Sequence, residues 1–196
     1  MEQKKVLEIK KNQFVFQEGD PADKIGIVLE GSVQLVREDY YGNRSIVARI
    51  EPSGIIGESF AFSNNATFPV SVVAAEDCRV MLIDSRRIAV TCSNACAFHN
   101  RMIFNMLKII ANKNLVLNQK IEITSKRTTR EKLMTYLTTQ AKAHNSDSFI
   151  IPYDRQALAD YLEVERSAMS AEISKLRRDG IIDCQKSHFR LLKAAL

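Results

Sequence analysis

Residues 154–178, DRQALADYLEVERSAMSAEISKLRR, admit few folds. Leu158, Leu162, Val164, Met169, Ile173 and Leu176 recur at helical spacing on both sides of a short break. This predicts two helices closed on one small core. Asp154 stands where the first helix needs an N-cap, and Gly180 stands just past the end of the second. The outer face of the second helix is left with Arg166, Ser167, Ser170 and Lys175. A bihelical unit of this kind sets its second helix into the major groove of DNA. The pattern therefore directs attention to nucleic-acid binding before catalysis.

The surroundings of this unit extend the reading. Residues 181–192 alternate as two short strands around Gln185-Lys186-Ser187, the pattern of a β-hairpin wing. Upstream, Thr128-Thr129-Arg130-Glu131 has the form of a capping box and starts a helix running to about Ala143. Residues 144–147 read as a loop, and Phe149-Ile150-Ile151 as a short strand.

The first half of the chain has a different period. VLEI, FVF, IGIVL, SVQLVRE, SIVARI, PVSVVA and RVMLI are short Val- and Ile-rich runs between residues 6 and 83. Gly19-Asp20-Pro21, Gly31, Gly42-Asn43, Pro52-Ser53-Gly54 and Gly57 punctuate them, which predicts an antiparallel barrel or sandwich. From about Ser93 to Ile121 the pattern turns helical. Ile103, Leu107, Ile110, Leu117 and Ile121 follow coiled-coil spacing with Asn114 inside the series, and Met102, Met106, Ile109 and Val116 form a second stripe. Two stripes need two neighbours, which points to one stripe on the β unit and the other on a partner helix. A polar residue within a seam fixes register and oligomeric state. Residues 122–127, polar and basic, read as a hinge.

Composition narrows the class. At 196 residues, 45% hydrophobic and 26% charged, the chain has the make-up of an ordinary globular protein. No apolar run approaches the ~20 residues of a membrane helix, and MEQKKVLEIKK has no apolar signal core, so a cytoplasmic protein with no membrane partner is expected. The net charge of +5 permits nucleic-acid binding without demanding it. Cys78, Cys92, Cys96 and Cys184 show no CxxC spacing, so neither a zinc ribbon nor a disulfide framework is expected. Catalysis has little to stand on. His99, His144 and His188 all lie outside the barrel segment, and neither a Gly-rich phosphate loop nor a nucleophile elbow is present.

The whole order resembles the Crp/Fnr family of bacterial transcription regulators. The resemblance rests on Gly19-Asp20-Pro21-Ala22, Ile27-Val28-Leu29-Glu30-Gly31-Ser32-Val33 and Gly54-Ile55-Ile56-Gly57-Glu58 in the first half. In the second half it rests on Arg127-Thr128-Thr129-Arg130-Glu131-Lys132-Leu133, Arg155-Gln156-Ala157-Leu158-Ala159 and Arg166-Ser167-Ala168-Met169-Ser170. It implies an α+β chain: an N-terminal antiparallel β-barrel of the cyclic-nucleotide-binding, jelly-roll kind over residues 1–92, a long dimerisation helix over 93–121, and a C-terminal winged helix-turn-helix over 122–196. It further implies a homodimer reading palindromic double-stranded DNA, with RNA polymerase as a partner and a small-molecule or redox effector at the barrel.

Three departures shape the expectation. Cyclic-nucleotide binders place an Arg-Ser or Arg-Thr pair after the Gly-Glu pair, and here Gly57 and Glu58 are followed at those positions by Phe68 and Pro69. No Lys or Arg lies between Glu51 and Asp77 to pair a buried phosphate, so the expected effector is not cyclic AMP. The oxygen-sensing branch uses an N-terminal cysteine cluster, and no cysteine precedes Cys78. Ala171 stands where many members carry a guanine-reading Arg, so the operator is expected to differ from the cyclic-AMP receptor site.

Individual residues follow from this frame. Arg166, Ser167 and Ser170 are the expected base readers, because Arg pairs guanine O6 and N7 in a bidentate fashion. Arg155, Gln156, Lys175 and Lys186 are expected on the DNA backbone, with an ordinary solvated face as the other reading of the lysines. Gly57, Glu58, Phe68 and Pro69 outline the effector pocket, where Glu58 either holds a ligand hydroxyl or caps local amides. Cys92, Cys96 and His99 fall on one helix face. They suit a redox or haem sensor, or a small-residue packing seam. Three ligands from one helix would leave a metal incomplete, and cysteine commonly packs as a small hydrophobe. No cofactor is named by the residues. A constitutive DNA-binding protein with the barrel as a dimerisation scaffold remains the alternative to an effector-controlled regulator.

Overall fold

The computed structural model describes residues 5–63, 67–89 and 97–192. It divides into two compact units, Met1–Leu115 and Val116–Leu196.

The first unit contains eight described strands: β1 (Lys5–Ile9), β2 (Phe14–Phe16), β3 (Lys24–Glu30), β4 (Val33–Glu38), β5 (Arg44–Ile50), β6 (Ile55–Ile56), β7 (Ser71–Ala74) and β8 (Cys78–Asp84). β6 is a two-residue strand that the sequence pattern did not mark. The strands form two separate antiparallel sheets, ordered β1-β8-β3-β6 and β2-β7-β4-β5. This corrects the expected barrel, since no ladder among the described strands joins one sheet to the other. A barrel requires every strand to be hydrogen-bonded on both sides. Here β1, β6, β2 and β5 remain edges, and β6 is too short to carry a closing ladder. The sheets are held by a shared apolar core instead. Val28, Ile56 and Val80 from one sheet join Val33, Val72 and Ala74 from the other, all essentially inaccessible. Gly31 makes the β3–β4 turn possible. Its φ is +69°, and a Cβ there would meet the Asp77 carbonyl at 2.3 Å.

Two short helices, α1 (Glu58–Ala61) and α2 (Ser85–Ala89), belong to this unit. The long helix α3 (Ala97–Thr124) contains the division between the units. It continues three residues past the expected end, so Glu122–Thr124 are helical rather than part of the hinge. Ile123 is buried and anchors this last turn, and the Thr124 hydroxyl donates to the Lys120 carbonyl. Cys92 and Cys96 lie outside the described residues, as does the side chain of His99.

In the second unit, α4 (Thr129–His144), α5 (Arg155–Leu162) and α6 (Arg166–Arg178) pack beside a three-stranded sheet. That sheet contains β9 (Ser148–Ile150), β10 (Ile182–Gln185) and β11 (His188–Leu191), ordered β10-β11-β9. Leu133, Leu137, Leu158, Leu162, Met169, Leu176 and Phe189 form the centre of the core, each almost fully inaccessible. Val164, expected in this core, is half-buried. The capping box is present: Glu131 N–H donates to Thr128 Oγ1 at 3.2 Å, and Thr128 N–H donates to the Glu131 carboxylate at 3.1 Å. The bond from Thr128 N–H to the carboxylate, with the Thr128 hydroxyl beside it, pushes the Glu131 pKa down. Asp154 caps α5 by accepting from Ala157 N–H at 2.8 Å, and Gly180 follows α6 with φ +69°. Thr128→Ala is expected to destabilise the second unit by about 1 kcal/mol, read from the midpoint of denaturant unfolding.

Candidate functional site

α6 forms because its apolar residues fall three and four apart. Met169, Ile173 and Leu176 are buried, and Arg166, Ser167, Ser170, Ala171 and Lys175 are exposed. The three expected base readers are all exposed in the first two turns, with Arg166 at the first helical position. Glu165, the residue before it, makes no side-chain capping bond. α6 is held from behind by Arg130 of α4, which pairs with Glu172 at 3.1 Å and Asp179 at 3.5 Å.

The residues expected on the DNA backbone are placed differently from one another. Lys175 is exposed on α6. Lys186 is exposed in the β10–β11 turn, with φ +52°. Gln156 is exposed at the start of α5 and donates to Asp160 at 2.8 Å. Arg155 is half-buried against the wing. Its guanidinium lies 4.9 Å from the Phe189 ring centre and donates to Cys184 Sγ at 3.4 Å.

The first unit brings Gly57, Glu58 and Phe68 together and leaves Pro69 exposed. Gly57 has φ +85°, and a Cβ there would stand 3.0 Å from both the Phe68 ring and the Lys24 carbonyl. Only glycine satisfies both constraints. Phe68 is 1% exposed. It stacks on Phe16 at 4.4 Å between ring centres and meets Phe60 edge-on at 5.6 Å. The aromatic ring is therefore part of the core.

Glu58 is 4% exposed and is paired. Lys113 of α3 donates to Glu58 Oε1 at 2.6 Å and to the Ile55 carbonyl at 2.5 Å. Ser59 also donates to Oε1, at 3.2 Å. Glu58 Oε2 is buried without a hydrogen-bond partner. Sequence reasoning missed Lys113, which interrupts an apolar stripe. Met102, Met106 and Ile109 are half-buried and Lys113 continues their line, whereas Val116, assigned to that stripe from the sequence, is exposed. The other stripe, Ile103, Leu107, Ile110, Leu117 and Ile121, is exposed, as is Asn114.

A second lysine of α3 was also not singled out. Lys120 is buried in the second unit and donates to the Tyr161 carbonyl at the end of α5. Its ammonium lies 4.3 Å from the Tyr161 ring centre and 3.5 Å from Glu163 Oε1. Burial pushes its pKa down, and the Glu163 carboxylate opposes that shift. A helical-stripe reading treats each lysine as a solvated interruption, and only the folded partners reveal otherwise.

Comparison with known proteins agrees with this arrangement. Residues 6–94 match the cyclic nucleotide-binding domain, and residues 131–195 match the Crp-like helix-turn-helix domain. The transcriptional activator protein anr of Pseudomonas aeruginosa is 22% identical over 189 residues, covering 94% of this chain and 75% of the relative. FixK2 from Bradyrhizobium japonicum superposes with a TM-score of 0.73 at 18% identity, over 97% of this chain and 93% of that one. The c-di-GMP responsive global regulator CLP of Xanthomonas campestris gives a TM-score of 0.78 at 18% identity, over 96% and 94%. These structural likenesses establish the fold. No described helix is long and apolar enough to cross a membrane. The chain joins a cyclic nucleotide-binding domain over residues 6–94 to a Crp-like helix-turn-helix domain over residues 131–195, the two domains of a Crp/Fnr-type transcription regulator.

Proposed function

We propose that this chain regulates transcription as a cytoplasmic homodimer that reads a palindromic duplex, under the control of an effector other than cyclic AMP. The observation that carries the reading is α6, which exposes Arg166, Ser167 and Ser170 in its first two turns while Met169, Ile173 and Leu176 hold it in the core. A rigid helix with polar groups at its N-terminal end is what major-groove readout requires. Arg155, Gln156, Lys175 and Lys186 are assigned to phosphate contacts, and RNA polymerase is the partner expected of a regulator.

Dimerisation is supported by the exposed stripe from Ile103 to Ile121. Five large apolar residues at seam spacing would otherwise face water, and Asn114 gives such a seam its register. The working division is an effector unit over 1–92, a dimer helix over 93–121 and a DNA-binding unit over 122–196.

The effector reading rests on Gly57, Glu58, Phe68 and Pro69. A cyclic nucleotide does not fit them. Phe68 fills its position with a stacked ring where the phosphate would need a cation, and Lys113 already engages the Glu58 oxygen that a ribose hydroxyl would seek. That same filling favours a second reading, in which the two-sheet unit serves only as a dimerisation scaffold and DNA binding is constitutive. Equal DNA affinity in cell extract and in purified buffer would support the scaffold. A redox or haem sensor on Cys92, Cys96 and His99 lies outside the described residues.

The test begins with selection of bound duplexes from random DNA. Arg166→Ala is expected to weaken the selected site by about 1–3 kcal/mol while leaving random DNA nearly unaffected. An equal loss on both would reduce Arg166 to a phosphate contact. Calorimetry with cyclic AMP is expected to show no binding, and micromolar affinity would overturn that part. Lys113→Met is expected to cost about 2 kcal/mol of stability, more than Glu58→Gln, because it strands a buried carboxylate. The reverse order in thermal unfolding would mean that Glu58 is not held by Lys113.

A further inference from the structure

Among the described residues Lys120 is the one buried basic side chain. Burying an ammonium is unfavourable unless its donors are used. Here they are directed at one place, the end of α5: the Tyr161 carbonyl, the Tyr161 ring and the Glu163 carboxylate. A second lysine reaches the same end from α4, where Lys132 donates to the Glu163 carbonyl at 3.2 Å. The last carbonyls of a helix lack intrahelical partners and carry the negative end of its dipole, so two ammonium groups there form a cap. Glu163 itself turns the chain with φ +54°.

Only Glu163, Val164 and Glu165 separate this cap from Arg166. The entry to α6 has no side-chain cap of its own, so the incoming turn sets where α6 begins. Lys120 lies on the two turns of α3 that also carry Leu117 and Ile121, both exposed on the apolar seam. It therefore ties a segment that bears seam residues to the turn that delivers Arg166.

We propose that Lys120, with Lys132 as the second cap, is a positioning residue for DNA readout: it fixes the turn over residues 163–165 so that Arg166 meets the base edge, and links that turn to the seam-bearing part of α3. The inference rests on the reading of Arg166 as a base reader. Lys120 touches no DNA in this scheme, and its effect is on discrimination.

The experiment uses the full chain with Lys120→Met, which keeps the aliphatic stem and removes the ammonium. Affinities are measured for the selected duplex and for a scrambled duplex, with circular dichroism and sedimentation confirming fold and assembly. Selected-site affinity is expected to fall about tenfold while the scrambled duplex changes less than about twofold, since a merely structural lesion would lower both. An unchanged ratio in a folded Lys120→Met protein overturns the proposal. If the wild-type chain itself fails to discriminate, the base-reading assignment of Arg166 fails, and amide exchange in the DNA-free protein decides the positioning role. Faster exchange at Glu163 and Val164, whose amides bond to the Ala159 carbonyl, supports it, and unchanged exchange overturns it. If Lys120→Met does not fold, Lys132→Met takes its place, with an expected loss of about threefold in the same ratio. No change in that ratio is again a refutation.

Discussion

A carboxylate that is 4% exposed must find a cation, and this requirement at Glu58 organises the first unit of the chain. Lys113 of α3 supplies it, and by donating also to the Ile55 carbonyl it fastens the helix to β6 and the start of α1. Once Lys113 faces inward with Met102, Met106 and Ile109, helical geometry leaves Ile103, Leu107 and Ile110 on another side. The exposed stripe is thus a consequence of where one lysine is held. A pair this buried contributes specificity of placement more surely than net stability, because desolvation of both ions offsets most of their attraction.

The same region is closed by aromatic packing. Gly57 keeps the left-handed turn that presents Glu58, yet the ring of Phe68 stands against that turn and stacks on Phe16. An aromatic cluster satisfies its volume with dispersion and apolar burial and needs no counter-charge. The region closes on an apolar contact, with Glu58 answered by Lys113 from α3.

Much of this was legible in the residues. Alternating Val- and Ile-rich runs marked seven of the eight described strands of the first unit, because period-two patterning survives wherever one face is buried. Thr128, Asp154 and Gly180 marked helix ends through local hydrogen bonding and backbone freedom, which depend on few neighbours. The buried positions of α6, Met169, Ile173 and Leu176, followed from its own spacing. What escaped was non-local. Two residues at Ile55–Ile56 are too few to show a period, and Glu122–Thr124 look like a hinge until Ile123 is seen to be buried. Whether two rows of strands close into a barrel depends on hydrogen bonds between edges distant in sequence, and here the edges stay open.

The sequence by itself determined that this chain carries a two-helix unit, a β-rich unit and a long helix. Those are matters of local period, capping and residue chemistry. The tertiary structure alone decided that the β unit is two sheets, that Arg155 rests on Phe189 of β11, and that Lys113 and Lys120 are the partners of Glu58 and of the end of α5. A lysine in a helical pattern has the same identity in water or in a core. Only the groups that the fold brings to its ammonium determine which it is.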